Sequence, residues 1–494
     1  MRHLICLVTL CCLSGCMVGP DYVRPDADAP AKWRYAAPEG KEAAAFAGSG
    51  WWESLGDPVL NDLVSSALRE NKDLRLAAVL VEEFAARYGI ARADLFPQAG
   101  AGAQYARQKN TERGGNALPA GYKSTLDSFS ATVSASWELD LWGRIRRGTE
   151  AARAQYLASE EGRQAVVLSL VSSVVASYVN LRNLDRQLEI GRRTAESRRK
   201  TLEVFDQRYR GGVISEIELT QTKLLYEDSL AALPQFEKAV AQQENALNLL
   251  LGRNPGPVPR SRSIDQLGPP DVPAGLPSEL LARRPDIRQA EQELVAANAQ
   301  IGIARAAYFP AITLTGMFGG ASAQLSDLFT GPARVWSYSV PVSVPVFTAG
   351  KISGSVKVAE AQREQALVNY RQVIQNAFKE VEDALVDRVT SGEQLAVRKR
   401  ELDDLEKYLF LANIRYENGY SSYLEVLDAE RNLFSGQLAY VQSQAALLQA
   451  AINLYKVMGG DWMADAAGRT GKGAERPRTA RWSGMRIPAE RIRK

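Results

Sequence analysis

Histidine and cysteine are almost missing from this chain of 494 residues. The only histidine is His3, and all four cysteines lie within the first sixteen residues. The rest of the chain therefore offers no Ser-His-Asp or Cys-His catalytic set, no histidine-ligated zinc and no disulfide. An enzyme would have to work with carboxylates or a Ser-Lys pair, so we expect no enzymatic activity, no metal and no cofactor.

The start of the chain lacks a hydrophobic run long enough to cross a membrane. Leu4 to Leu13 is apolar apart from Thr9, far short of the roughly 20 residues of a spanning helix. A polar start, this short run and Leu13-Ser14-Gly15-Cys16 predict a bacterial lipoprotein signal over residues 1–15, with Cys16 acylated. An ordinary secretory signal is the alternative. Met17 stands where aspartate would resemble an inner-membrane retention signal, which favours the outer membrane.

Basic residues are concentrated at the far end. Gly468 to Lys494 holds nine Lys or Arg against two Asp or Glu, with few apolar residues. We predict a disordered tail over residues 463–494. Without the tail and the signal the chain is net acidic, so nothing indicates a nucleic-acid partner. Nor is there a phosphate-binding glycine motif, so the energy for any transport would come from a partner.

The chain is an internal duplication. Blocks of the first half recur in the second half, displaced by 213 residues up to Pro97 and by 207 residues from Gly143 onward. They are Asp73-Leu74-Arg75 with Asp286-Ile287-Arg288, Phe96-Pro97 with Phe309-Pro310, Gly143 with Gly350, and Tyr209-Arg210-Gly211-Gly212 with Tyr416-Glu417-Asn418-Gly419. We predict two structural repeats, residues 58–252 and 277–462, with a linker over 253–276 and an extended N-terminal segment over 16–57.

Each repeat has the same predicted order of elements. A helical stretch, about 58–95 or about 277–309, ends at a Phe-Pro, where the residue before proline leaves the helical region. Two strands follow, and the second alternates apolar and polar residues from Phe129 to Leu139 or from Trp336 to Val346. Pro341 and Pro345 weaken the latter, because proline cannot donate to a ladder.

Long helices complete each repeat. A proline-free helix, about 148–210 or about 354–417, turns at Gly-Gly or Asn-Gly and returns to Gly252 or Gly459. Pro234 should kink the first return helix. The second carries a seam at the 3-4-3-4 spacing of a coiled coil, interrupted by Arg431. Its positions are Leu424, Leu427, Arg431, Phe434, Leu438, Val441, Ala445, Leu448, Ile452 and Tyr455.

Four strands are too few to close a membrane barrel. In lipid every backbone polar group must be paired, and bacterial barrels have even strand numbers from about 8 upward. Strands that span the bilayer must therefore be shared between copies of the chain. Two copies would give eight strands and three would give twelve.

An ordered set of motifs runs from Cys16 to about Trp462. The motifs are Cys16-Met17-Val18-Gly19-Pro20-Asp21-Tyr22-Val23-Arg24-Pro25, Trp51-Trp52 with Asp57-Pro58, Phe96-Pro97, Leu139-Asp140-Leu141-Trp142-Gly143, Arg283-Arg284-Pro285-Asp286-Ile287, Ala307-Tyr308-Phe309-Pro310, Val426-Leu427-Asp428-Ala429 and Tyr455-Lys456-Val457-Met458-Gly459-Gly460. Together they resemble the TolC/OprM-type outer-membrane efflux factors, in the lipoprotein subgroup.

That resemblance implies a mainly α-helical protomer with a membrane β-barrel. Three copies would form a homotrimer with a twelve-stranded barrel, a twelve-helix periplasmic tunnel and a mixed equatorial belt. The implied function is the passive exit duct of a tripartite efflux pump, anchored in outer-membrane lipid and extending into the periplasm. Its implied partners are a periplasmic adaptor and an inner-membrane transporter, most often of the proton-driven resistance-nodulation-division type.

The resemblance also assigns roles to two groups of residues. The hairpin tips would dock the adaptor, through Gly211, Gly212, Ser215, Asn418, Gly419, Ser421 and Ser422. The periplasmic gate would be formed by Leu424, Glu425, Asp428 and Arg431. The spacing puts Leu424, Asp428 and Arg431 on one helical face. A plain helix turn and a surface Asp–Arg pair are the structural alternatives.

Two other classes of protein share some of these features. A periplasmic coiled-coil adaptor would have one hairpin and a β-rich remainder, whereas this chain has two hairpins. A carboxylate-dependent lipoprotein enzyme would need a compact domain with a pocket, and the long helices and strands leave little chain for one. The sequence does not identify the transported substrate.

Overall fold

A computed structural model of the chain describes residues 17–35, 50–111, 124–268 and 277–459. Contacts divide the chain into two compact units that interleave along the sequence. Unit 1 comprises Met1–Asp28, Ala78–Gly162 and Asp286–Gln375, and unit 2 comprises Ala29–Ala77, Arg163–Pro285 and Asn376–Lys494. The predicted signal, Cys16 and the basic tail lie outside the described residues.

The helices and strands follow the predicted order twice. The first repeat contains α1 (Pro58–Glu70), α2 (Lys72–Ala93), β1 (Gln98–Lys109), β2 (Thr125–Glu138), α3 (Arg144–Arg210) and α4 (Glu216–Leu250). The second contains α5 (Pro277–Arg283), α6 (Pro285–Ala306), β3 (Ala311–Ser322), β4 (Arg334–Ser339), β5 (Val342–Ser343), α7 (Lys351–Glu417) and α8 (Tyr423–Val457). Helices α3 and α7 both have 67 residues, and α4 and α8 both have 35. The predicted duplication is confirmed, and each long helix measures roughly 100 Å.

Equivalent glycines mark the duplication in the backbone. Gly212 and Gly419 have φ of 73° and 76°, and they end the two long helices. Only glycine adopts this left-handed conformation without steric cost. The equal φ values show that the two repeats reverse direction by the same turn.

The predicted leading helix of each repeat is in fact two helices. Asn71 separates α1 from α2, because its Oδ1 accepts a hydrogen bond from the Leu74 amide at 2.9 Å and its Nδ2 donates to the Leu250 carbonyl at 2.9 Å. A residue that serves as the N-cap of a new helix has non-helical backbone dihedral angles, so the preceding helix ends there. In the second repeat the break falls before Pro285, as expected for a residue that precedes proline. Helix α4 continues through Pro234.

The strands form one antiparallel sheet in unit 1, in the order β1-β2-β3-β4, with β5 also paired to β3. The prediction of a continuous strand up to Val346 is wrong. Strand β4 ends at Ser339 and only Val342–Ser343 pairs again. The intervening Pro341 has no amide proton, although its carbonyl accepts from the Thr313 amide at 3.1 Å.

The register gives the sheet one apolar and one polar face. On the apolar face lie Ala101, Ala103, Tyr105, Phe129, Ala131, Val133, Phe318, Trp336 and Tyr338. On the polar face lie Gln104, Ser128, Ser130, Thr132, Ser134, Ser136, Thr313, Thr315 and Ser337. In a barrel shared between copies, the apolar face meets lipid and the polar face lines a wet lumen.

The core of unit 2 explains the Trp-Trp and Asp-Pro motifs. The Trp51 ring stacks on Tyr455 at 4.7 Å between centroids. Asp57 is fully buried, and its carboxylate caps α1 and accepts from the Tyr178 hydroxyl at 2.8 Å. Burial and this carboxylate raise the pKa of Tyr178.

Helix α3 has a segment apolar enough to span a membrane, but half of that segment is buried within the protein.

The N-terminal segment contains no helix or strand where it is described, and its first part belongs to unit 1. The Val18 amide donates to the Trp142 carbonyl at 3.0 Å. Asp21 pairs with the buried Arg147 at 2.7 Å. A Cβ on Gly19 would lie 2.5 Å from the Gly302 Cα, so the backbones touch and neither tolerates a side chain without movement.

Candidate functional site at the helical hairpin tips

Both long helices end in the same hydrogen-bonded motif. At the first tip, the Gly212 amide donates to the Tyr209 carbonyl and the Val213 amide donates to the Arg208 carbonyl, both at 2.9 Å. At the second tip, the Gly419 and Tyr420 amides make the equivalent bonds at 3.0 and 2.8 Å. This is the Schellman pattern, which satisfies the last carbonyls of a helix. The tip residues predicted from the sequence therefore form two equivalent, exposed turns.

The return helices begin differently. Ser215 forms a capping box: the Glu218 amide donates to the Ser215 Oγ at 3.4 Å, and the Ser215 amide donates to the Glu218 carboxylate at 2.9 Å. The equivalent Ser422 makes no side-chain cap. Glu425, which would close the second box, instead pairs with Arg415 of α7 at 3.3 Å.

An aromatic cluster lies behind the tips in unit 2. The Phe205 ring of α3 lies 4.3 Å from Tyr423 of α8, and Tyr423 lies 5.1 Å from Tyr416 of α7. Val426 and Leu427 are buried in the same cluster. Burial raises the pKa of the Tyr423 hydroxyl. The cluster packs the first turns of α8 against both long helices.

The predicted gate residues Leu424, Asp428 and Arg431 are all exposed, and Leu424 is 58% exposed. At about 100° per residue they lie within an arc of about 60°. The shared face is therefore as predicted. The seam is not as predicted: Leu424 and Arg431 lie outside it, and helix α8 buries Tyr423, Val426 and Leu427 here. A straight α-helix has 3.6 residues per turn, so positions spaced at a 3.5-residue repeat rotate gradually around it. The predicted seam therefore leaves the buried face of α8 at this end.

The charges on this face do not pair with each other. Asp428 accepts from the Tyr408 hydroxyl at 3.3 Å and from the Asn432 amide at 3.0 Å. Burial and Asp428 raise the pKa of Tyr408. Arg431 makes no hydrogen bond or ion pair with any described residue of its own protomer. The surface Asp428–Arg431 pair, the structural alternative to a gate, is absent from the described residues.

A buried arginine lies on the opposite side of α8. Arg198 of α3 is 5% exposed, and its Nη1 donates to the Leu225 carbonyl of α4 at 3.1 Å. Its Nε lies 3.7 Å from the Glu430 carboxylate, and its guanidinium covers the Phe434 ring at 5.5 Å. Burial lowers the pKa of Arg198 and raises the pKa of Glu430. A cavity of ≈ 340 Å³ lies beside the pair.

No role was predicted from the sequence for Arg198, Glu430 or Tyr408. A signal for Arg198 was present, because it interrupts apolar positions of α3 at the same 3-4-3 spacing that drew attention to Arg431. Glu430 and Tyr408 carried no such signal, since their roles depend on partners from other helices. Among the described residues, no cluster of His, Cys, Asp and Glu could hold a metal ion.

Apolar strands that need partners to close a barrel, long paired helices and exposed charged tips together define the protomer of an outer-membrane channel. The chain belongs to the outer membrane efflux protein family, whose model matches residues 63–253 and 276–460. It is the outer-membrane channel of an efflux pump. Channels of this family are trimers with a helical tunnel and a barrel, and they function within tripartite pumps.

Named relatives cover nearly the whole chain. The toluene efflux pump outer membrane protein TtgI of Pseudomonas putida is 37% identical over 468 residues, covering 92% of this chain and 97% of TtgI. The cation efflux system protein CusC of Escherichia coli is 37% identical over 453 residues, covering 91% and 96%. The open state of the MtrE outer membrane channel of Neisseria gonorrhoeae superposes with a TM-score of 0.81 at 31% identity, covering 90% and 99%.

Proposed function

We propose that Leu424, Glu425, Asp428 and Arg431 form the periplasmic gate of this channel. The observation that carries the proposal is the exposed face of α8, where Arg431 has no partner among the described residues of its own protomer. An exposed surface arginine needs no partner, but this one lies one turn from Asp428 and two turns from Leu424 on the same face. In a trimer, that face would repeat three times around the axis.

Charge balance explains how such a face could close a tunnel. Three Asp428 carboxylates around an axis repel each other unless cations lie between them. Arg431 of a neighbouring copy would supply that cation, while Tyr408 and Asn432 hold each carboxylate in place. Glu425 is already tied to Arg415, so it would fix the α7–α8 turn rather than bridge copies.

Conductance in planar bilayers tests the gate. We expect Asp428→Ala and Arg431→Ala each to make the closed trimer leaky, with a higher conductance than the unmodified channel. Asp403→Ala is the control, because Asp403 is exposed on the same hairpin but pairs with Lys399 of its own helix at 2.7 Å. Unchanged conductance in both gate variants would refute the role.

We also propose that the two tips dock a periplasmic adaptor, which joins the channel to an inner-membrane transporter of the resistance-nodulation-division type. The support is the pair of equivalent turns, with Gly211, Gly212 and Ser215 exposed on one and Asn418, Gly419 and Ser422 exposed on the other, where Ser421 is half-buried. Exposed small residues let a partner helix approach the backbone closely.

Cysteine cross-linking tests the docking. Ser422→Cys should cross-link to the co-expressed adaptor, whereas Thr390→Cys, an exposed residue several turns up α7, should not. Equal cross-linking at both positions would argue against docking at the tip. The transporter that co-purifies with the complex would identify the substrate, since the named relatives include pumps for toluene and for cations.

We further propose that Cys16 carries the lipid anchor. The support is the lipobox sequence Leu13-Ser14-Gly15-Cys16. Labelled palmitate should be incorporated into the unmodified chain and not into Cys16→Ser. Labelling of the variant would show that the acyl group is attached elsewhere.

A further inference from the structure

The segment between β3 and β4 folds back across the apolar face of the sheet. Leu328 of this segment is only 6% exposed. A Cβ on Gly320 of β3 would lie 2.2 Å from the Leu328 carbonyl oxygen, so the loop backbone touches the strand. The register puts Gly320 on the same face as Phe318 and Ala131. The loop therefore covers the outer, lipid-facing side of the sheet.

A groove of ≈ 660 Å³ separates this loop from the strands. Its floor is made of small side chains, Ala101, Ala103 and Ala131, which leave depth where larger residues would fill it. Leu328 and Phe329 form the wall on the loop side. Phe329 is almost fully exposed although it is large and apolar. A groove of this composition is suited to hydrocarbon rather than water.

Arg334, the first residue of β4, lies at one end of the groove. It is exposed and makes no ion pair with any other described residue. On the same face, at the same end of the strands, Arg107 lies 3.7 Å from Asp127 and Lys109 ends β1. Arg107 and Lys109 lie on β1, at the opposite edge of the sheet from β4, and Asp327 of the β3–β4 loop is a second carboxylate. Among the residues that line the groove, Arg334 is the one that carries a charge. An arginine fork binds phosphate oxygens well.

The position of the groove decides which lipid it meets. Helices α2 and α3 join β1 and β2 at one end of the sheet, and the loops join it at the other. Since the helices of such a channel are periplasmic, the loop end belongs to the outward leaflet. In a bacterial outer membrane that leaflet consists mainly of lipopolysaccharide, whose lipid A combines several acyl chains with phosphates.

We propose that this groove binds the lipid A part of lipopolysaccharide, with one acyl chain over Ala101, Ala103 and Ala131 and a phosphate on Arg334. The stacked rings of Trp336 and Tyr338, 6.0 Å apart on the same face, continue the lipid contact along β4. Aromatic residues at this depth are typical of membrane barrels. The bound lipid holds the β3–β4 loop against the outside of the barrel.

Native mass spectrometry of the purified trimer tests the groove. The probes are lipid A with both phosphates, dephosphorylated lipid A and phosphatidylglycerol. Ala131→Leu fills the floor and should weaken lipid A binding about tenfold, the equivalent of losing about two buried methylenes. Its control is Ala135→Leu, on the same strand and face but outside the groove, which should bind like the unmodified trimer.

The charge is tested separately. Arg334→Gln should weaken binding of phosphorylated lipid A and leave binding of the dephosphorylated form unchanged, whereas Arg107→Gln should affect neither. Equal binding by Ala131→Leu and Ala135→Leu, or phosphatidylglycerol binding as tightly as lipid A, would overturn the proposal. If Ala131→Leu does not assemble, Phe329→Ser removes the opposite wall and carries the same expectation. The gate experiments do not depend on any of these results.

Discussion

The two hairpin tips have the same backbone and different side-chain contacts. Gly212 and Gly419 make the same left-handed turn, with amide–carbonyl distances that agree within 0.1 Å. Beyond the turn, Ser215 closes a capping box with Glu218, whereas Glu425 is held by Arg415. After duplication the turn was kept because only glycine fits it. The side chains were free to diverge because several arrangements satisfy a helix start.

The divergence extends to the residues of the proposed gate. The first-repeat positions equivalent to Leu424, Asp428 and Arg431 are Ile217, Gln221 and Leu224, 207 residues earlier. Ile217 and Leu224 are exposed like their counterparts but carry no charge. The second hairpin alone therefore supplies the charged face, and the first hairpin supplies the buried Arg198 that lies behind it. Three pairs of substitutions test how the two hairpins differ.

The largest effect should follow removal of Arg198. Arg198→Met keeps the apolar stem but removes the side-chain donor to the Leu225 carbonyl and leaves the Glu430 carboxylate without its cation. Removing one partner of a buried ion pair costs about 3 kcal/mol. We expect that loss in the free energy of local opening at the start of α8, measured by hydrogen exchange in the purified trimer.

Arg199→Met is the matched control, because Arg199 is exposed and pairs only with glutamates of its own helix. Its effect should stay within about 0.5 kcal/mol, as for most surface substitutions. Equal effects of the two variants would show that the first hairpin does not hold the second one.

Much of this architecture could be predicted from the sequence, because it depends on local signals. The long helices and the glycine turns were predicted to within four residues, since proline, glycine and apolar spacing act on the adjacent backbone. The break at Asn71 was missed because it depends on a contact with Leu250. The role of Arg198 was missed for the same reason: its neighbours come from α4 and α8.

A smaller effect should separate the two serine caps. Ser215→Ala removes a side-chain acceptor from the first amides of α4 and should cost about 1 kcal/mol in local opening. Ser422→Ala removes no cap bond and should cost only a few tenths of that amount. Hydrogen exchange of the two tip peptides compares the variants within one protein fold. Equal losses in the free energy of local opening would mean that the N-termini of α4 and α8 are capped alike in solution. The proposed difference between the two tips would then be wrong.

The smallest effect is a pH dependence that belongs to the second hairpin alone. Burial raises the pKa of Glu430 above its ordinary value of 4.5, and Arg198 only partly opposes this. The fold therefore binds a proton at Glu430 more tightly than the unfolded chain does. The resulting stabilisation is present below pH 4.5 and is lost as the pH rises through the raised pKa.

Glu430→Gln isolates this contribution, because glutamine resembles the protonated acid at every pH. Hydrogen exchange at the start of α8, corrected for the intrinsic rate, should show the unmodified trimer losing protection relative to Glu430→Gln as the pH rises from 4.5 toward neutrality. The equivalent residue of the first repeat, Lys223, is exposed, so Lys223→Gln should produce no such difference in α4. If the difference in protection between the unmodified trimer and Glu430→Gln stays constant with pH, Arg198 keeps Glu430 ionised throughout. The pair would then act as a fixed ionic link between the hairpins.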